Sequence, residues 1–172
     1  MKARLSLVVF LLLAAGFLVY LWSTQGQLPA RVATHFDIHG RPNGWMSREG
    51  IVRFMAVFGL LAPLVVIAAF NSPRFVPIQF VNLPNRDYWL AEERREASLL
   101  WLSRMGTWFG SFMLLFMAAM HELVIRANQQ GSPHLDAKPL WTVVGILIAC
   151  TLRLIVRIVT HFSKPPLTTR YS

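Results

Sequence analysis

Four long apolar runs, separated by stretches rich in polar residues, glycine and proline, organise the chain. The first, Leu5 to Trp22, is free of charge and follows Lys2 and Arg4. The second, Ile51 to Phe70, has Arg53 near its start. The third runs from Ala97 to about Ile125 and is preceded by Glu92-Glu93-Arg94-Arg95-Glu96. The fourth extends from Leu140 to about Phe162 and places Arg153, Arg157 and His161 at i+4 steps, on one helical face. A helix rises 1.5 Å per residue and a bilayer core is about 30 Å thick, so each run predicts a membrane-crossing helix. The expected fold class is all-α integral membrane: a four-transmembrane-helix bundle with a short extended/turn motif in the first extracytoplasmic loop.

Punctuation within the runs refines this picture. Ala14, Ala15 and Gly16 fall in the middle of the first run, and Tyr20 and Trp22 follow. A signal peptide would place its small residues near a cleavage site, whereas Tyr and Trp at that depth anchor a span at the interface; an uncleaved helix is expected. Pro63 predicts a kink that neighbouring helices must accommodate. The acidic residues before Ala97 suit a helix N-terminus, so the third helix is expected to begin before the hydrocarbon. Gly106 and Gly110 form a GxxxG that admits a closely packed neighbour. The stripe on the fourth helix reads either as an internal ion path or as contact with lipid headgroups. Its place at one end favours headgroups for Arg153 and Arg157, with Lys164 beyond them.

The first connection, THFDIHGRPNGW from Thr34 to Trp45, contrasts with the runs around it. Val32, Thr34, Phe36 and Ile38 alternate with Ala33, His35, Asp37 and His39, the period of a half-buried strand. This predicts one largely apolar face on the helix ends and one face presenting His35, Asp37 and His39. Arg41-Pro42-Asn43-Gly44 predicts the turn, because proline presets its first corner and Asn-Gly accepts the next conformations. A lone strand is not stable in water, so it must pack on the bundle or pair. The second connection, Asn71 to Leu90, is too apolar for a free linker and is expected along the bundle, with Tyr88 and Trp89 at the interface. Residues 163–172, with Pro165 and Pro166, read as a flexible tail.

Composition settles the solvent. The chain is 55% hydrophobic and 15% charged, with mean hydropathy +0.47, against about a quarter charged in soluble domains. A net charge of +9 would suggest nucleic acid in a soluble protein. Here the basic residues flank apolar runs and no nucleic-acid motif occurs, so membrane lipids are the expected partners and nucleic acid is not. The single cysteine, Cys150, excludes an intramolecular disulfide and a Cys-based zinc finger.

Orientation follows Lys and Arg near the span ends. With the N-terminus inside, the cytoplasmic side carries Lys2, Arg4, Arg74, Arg86, Arg94, Arg95, Arg104, Arg153, Arg157, Lys164 and Arg170. The outer side carries the smaller set Arg31, Arg41, Arg48, Arg53, Arg126 and Lys138. Both termini are expected to be cytoplasmic, and every histidine but His161 then lies outside.

Chemistry is sparse. A metal site needs three or four converging ligands; the candidates are His35, Asp37, His39, His121, Glu122 and His134, set against a structural or pH-sensing role for the histidines. No cofactor is expected, a transition metal being the alternative. GxSxG, HExxH and a Gly-rich phosphate loop do not occur, which argues against hydrolytic chemistry. The span middles lack acids, so a transport path would need a homo-oligomer.

Leu28-Pro29, Thr34-His35-Phe36-Asp37, Gly40, Pro42, Gly44 and Trp45 resemble the small membrane domain of unknown function at the N-terminus of bacterial SdpI-type immunity proteins. Asn82-Leu83-Pro84-Asn85 and Tyr88-Trp89-Leu90 resemble its second motif. Ala33 stands where the family often has proline, Asp37 where asparagine is commoner, and Ser47-Arg48 replaces Ser-Lys. The resemblance implies such a domain over 1–100, with helices about 5–22 and 51–70 and loop motifs 28–48 and 82–90. Residues 101–162 then supply two further helices of the same bundle, about 97–125 and 140–162. It also implies a non-catalytic protein of the bacterial inner membrane, an immunity, sensor or accessory protein. His35, Phe36, Asp37, Gly40, Pro42, Gly44 and Trp45 would meet a peptide, toxin or membrane-protein partner. A small oligomeric transporter or channel component, or an extracytoplasmic metal-binding membrane protein, is the alternative.

Overall fold

The computed structural model describes residues 2–163; of the expected tail, Ser163 ends the last helix and residues 164–172, Lys164 among them, lie outside that range. Among the described residues, four helices are long and apolar enough to cross a membrane. They are α1 (Lys2–Thr24), α2 (Arg48–Asn71), α4 (Glu92–Asn128) and α5 (Ala137–Ser163). A hairpin of β1 (Arg31–Phe36) and β2 (Pro42–Ser47) joins α1 to α2, and a short helix, α3 (Arg86–Trp89), precedes α4. The protein is a multi-pass membrane protein. The expected spans hold, and α4 starts five residues early, at Glu92, with Glu92 and Glu93 in its first turn where the helix dipole favours them.

The burial pattern shows which helix organises the others. α1 buries Ser6, Phe10, Phe17, Leu21 and Thr24, a narrow stripe, and leaves Leu12, Val19 and Trp22 uncovered. α2 buries Ile51, Met55, Gly59 and Pro63, one residue per turn. Uncovered leucines and valines on both helices form the lipid-facing surface that a bilayer requires. α4 lies between them and carries buried residues on each turn from Ser98 to Asn128, while Trp108 and Leu115 stay uncovered on its other side. Phe10, Phe17, Leu21, Ile51, Met55, Leu114 and Met117 form the core where the three helices meet.

Small residues bring these helices together. A Cβ on Gly106 would collide with the Cβ and ring of Phe70, and one on Gly110 would lie 2.9 Å from Ile67. The GxxxG of α4 is thus its contact face toward α2. Gly59 returns the device, admitting the Phe17 ring at 2.6 Å from where its Cβ would be. α2 continues helically through the buried Pro63. Thr107 and Ser111, also buried, donate to the carbonyls of Ser103 and Thr107 one turn back, so neither hydroxyl is left open in the apolar interior.

α5 packs differently. Its apolar stretch buries no residue, and it meets the protein mainly at its last turn, where Phe162 is fully buried with Val81, Leu90, Leu99 and Leu102. The 82–90 motif closes that end. Asn85 Nδ2 and Trp89 Nε1 both donate to the Phe162 carbonyl at 2.9 Å, satisfying an acceptor that a helix C-terminus leaves open. His161 stacks on Trp101, with ring centroids 4.0 Å apart, and on Trp89 at 5.1 Å. The connection before α3 lies on the bundle, with Val76, Ile78 and Leu83 against this cluster.

Candidate functional site

The polar features concentrate at the opposite end, around the hairpin. There the structure corrects the expected strand and turn. β1 stops at Phe36; the reversal occupies Asp37 to Arg41, and Pro42 to Ser47 is the second strand rather than a turn followed by a return. The pairing runs Arg31↔Ser47, Val32↔Met46, Ala33↔Trp45, His35↔Gly44 and Phe36↔Pro42. Thr34 and Asn43 have no opposite residue, and each shifts the register. The two-residue period therefore fails: Val32 and Ala33 are both buried, while Ile38, assigned to the apolar face, is 93% exposed at the tip. A bulge moves side chains off strict alternation, and no alternation count anticipates it.

The reversal is built by Asp37. One carboxylate oxygen accepts from the backbone N–H groups of His39 at 2.8 Å and Arg41 at 2.9 Å, while the Asp37 N–H donates to the Arg41 carbonyl. These bonds, the one from Arg41 foremost, hold the Asp37 carboxyl below its ordinary range. A depressed value means that the contribution to turn stability is present above the unfolded carboxyl range, about 3.9, and disappears as pH falls through the folded value. The amide chemical shifts of His39 and Arg41 are expected to move together with one midpoint below that range. Asp37→Asn keeps the accepting oxygen and should abolish the titration with the turn intact; Asp37→Ala should open the turn at every pH. A pH-independent Asp37 turn would contradict this account.

Two glycines have steric reasons. Gly40 has φ +75°, and a Cβ there would strike the Leu135 carbonyl and the His134 ring. Its own carbonyl accepts from the Leu135 N–H at 3.0 Å, fastening the reversal to the α4–α5 connection. A Cβ on Gly44 would lie 2.9 Å from the His35 Cβ directly across the ladder. His35 therefore rests on Gly44, with its Nδ1 3.2 Å from the Thr34 hydroxyl. Ser47 caps α2 by accepting from the Gly50 N–H at 3.0 Å. Trp45, 40% exposed, lies under the Arg31 guanidinium at 5.1 Å, and with Trp22 and Trp141 it supplies uncovered indoles at this end of the kind that mark a membrane interface.

The hairpin is held by residues that the sequence did not single out. Asn128, buried near the end of α4, accepts from the Ala33 N–H at 2.8 Å and donates to the Ala33 carbonyl at 2.9 Å. Its amide takes the place of a third strand on β1, and its second proton returns to the Val124 carbonyl at 2.9 Å. Beneath it, α1 and α4 share a polar junction. Tyr20 donates to Glu122 at 2.7 Å, and Arg126 donates to the other Glu122 oxygen at 2.7 Å. Thr24 donates to the Tyr20 carbonyl at 2.7 Å and lies 3.3 Å from Nε2 of the fully buried His121. Because the Thr24 proton is committed to that carbonyl, His121 donates from Nε2, which leaves Nδ1 as a buried acceptor with no partner among the described residues.

This arrangement separates the metal candidates. Glu122 has both oxygens engaged within the helix interface, and His121 is buried beside it. Asp37 is committed to its turn, while His35 and His134 rest on different glycines. Among the described residues, no three His, Cys, Asp or Glu side chains converge. The signals that could have flagged the junction are Tyr20 and Thr24 one turn apart, and an asparagine closing a long apolar helix.

The fold defines a four-span membrane protein with one ordered hairpin at one end of the bundle. Residues 9–60, from α1 through the hairpin into α2, match the family model "Domain of unknown function (DUF1648)", the domain found in SdpI-type proteins. The resemblance to that domain is thereby supported at the level of the domain. The chain is also similar to an uncharacterized protein of Archaeoglobus fulgidus, 33% identical over 105 residues, which are 59% of this chain and 54% of the relative. The chain thus spans about half the length of the curated relative it matches. No solved structure matches.

Proposed function

We propose that the protein is a non-catalytic membrane protein that recognises a ligand or partner through its hairpin, in an immunity, sensor or accessory role. In this reading it lies in a cytoplasmic membrane with both termini inside and the hairpin outside. One observation carries the proposal: the hairpin is rigidly fastened while its tip is left uncovered. Asn128, Leu135 and the Asp37 turn fix the backbone, yet Ile38 stands 93% exposed beside the exposed His39 and Arg41. A pre-ordered apolar tip flanked by basic and imidazole groups lowers the entropy lost on binding, which suits capture of a peptide or a membrane-protein partner. His35, Phe36 and Pro42 act mainly through the hairpin's shape, with Ile38, His39 and Trp45 as the contact side chains.

Two measurements test this reading. Asn43→Cys in a Cys150→Ser background should react with a membrane-impermeant maleimide in intact cells. Reaction only after permeabilisation would end the proposal. Ile38→Ser should then remove any protection that expression confers against a secreted membrane-active peptide, with the protein still accumulating in the membrane. Unchanged protection would assign the activity elsewhere.

A further inference from the structure

The cleft between α4 and α5 is lined by a second group of residues, unrelated to the hairpin. Trp108, Phe109 and Phe112 of α4 form one apolar wall, and Cys150, Arg153 and Leu154 of α5, with Arg157, form the other, around a volume of about 250 Å³. The cleft exists because α5 is tied at its last turn and leaves its apolar stretch unpacked. The stacked His161 and Trp101 mark equal depth on the two helices. Arg157 lies one turn inward from that level and Arg153 two turns, roughly 12 Å at 1.5 Å per residue. Arg104, three residues from Trp101, lies near the depth of Arg157 on α4.

Those guanidiniums have no carboxylate partner among the described residues; every ion pair there involves other arginines. None could form locally, because α5 contains no acid and α4 has none between Glu96 and Glu122. Charge at such depth is costly unless something neutralises it. Arg153 and Arg157 share one helix face, so their guanidiniums can reach toward the same headgroup level while their stems line the cleft.

We propose that this cleft is a binding site for one anionic phospholipid. Its phosphate would sit between Arg153 and Arg157, and an acyl chain would lie against Trp108, Phe109 and Phe112. The chemistry argues for this occupant over a second protein chain: the site joins an aromatic slot to paired cations whose guanidiniums can reach toward headgroup level, where a phosphate accepts planar guanidinium donors well.

Native mass spectrometry of the protein released from nanodiscs of phosphatidylcholine with phosphatidylglycerol tests the site. One phosphatidylglycerol per chain should be retained in preference to phosphatidylcholine. Arg153→Gln with Arg157→Gln should weaken that retention by about tenfold or more, given the strength of single basic residues toward anionic lipid. Arg126→Gln, at the hairpin end, should leave it unchanged. Trp108→Phe should lower the quenching of tryptophan emission by brominated-chain phosphatidylglycerol, reporting the chain's position. Equal retention of the two lipids by the wild-type protein would overturn the proposal. So would equal loss in Arg126→Gln, which would mean diffuse attraction to the surface rather than a site. These outcomes are independent of the hairpin reading, since none depends on the tip.

Discussion

Replacing Asn128 with alanine is expected to destabilise the protein by about 2–6 kcal/mol and to free the hairpin. The value follows from what is left behind. The Ala33 N–H and carbonyl are paired to the Asn128 amide rather than to β2, and Ala33 is fully buried. Removing the amide strands two buried backbone groups, each costing about 1–3 kcal/mol when unsatisfied. A two-stranded ribbon has little independent stability to offset the loss. Cleavage by trypsin after Arg31, at the start of β1, should accelerate in Asn128→Ala well before the helices unfold. Thr24→Val, which disturbs only the junction beneath, should leave cleavage nearly unchanged. A hairpin in Asn128→Ala as resistant as the wild type would show that Leu135 and the Asp37 turn suffice to hold it.

The second large effect is expected at the crossing of α2 and α4. Gly106→Leu places a branched side chain where even a Cβ would collide with Phe70 near its backbone. The obstruction is not the free end of a flexible side chain, so the helices must separate. Overpacking of this kind costs typically about 1–3 kcal/mol, and the upper end applies here because close approach is what holds membrane helices together. Thermal unfolding in detergent should shift down by roughly 5–10 °C. Gly145→Leu is the control: nothing lies within 4 Å of its Cβ position, and α5 faces outward there. Equal shifts for Gly106→Leu and Gly145→Leu would show that helix propensity, not the crossing, sets the effect.

The ends of the bundle differ in how far they could be foreseen. Tyr88 and Trp89, read as interfacial, stand in α3 just before α4, and their partner was hidden. Trp89 and Asn85 terminate α5 by binding the Phe162 carbonyl, a contact across more than seventy positions of chain. At the hairpin, the ordered polar connection was legible, and so was its need for pairing. The register was not, because Thr34 and Asn43 each fall out of the ladder and the turn moved to Asp37. His121 and Glu122 stood among the candidate outer ligands, with a structural role as the other reading; packing against Tyr20 and Thr24 makes them a junction between helices.

Length and apolar content determined the four spans and the class of protein, because a bilayer demands about twenty uncharged residues and a closed hydrogen-bond ladder in each crossing. The GxxxG and the glycine-rich connection were likewise local statements, written in residues close together in the chain. Only the tertiary structure decided that Gly106 meets Phe70, that Asn128 serves as a strand for Ala33, and that α5 stands away from α4 over a cleft lined by two arginines. Those are pairings between distant segments. Their energy comes from shape and hydrogen-bond geometry at contact, and neither is encoded in the periodicity of a single helix.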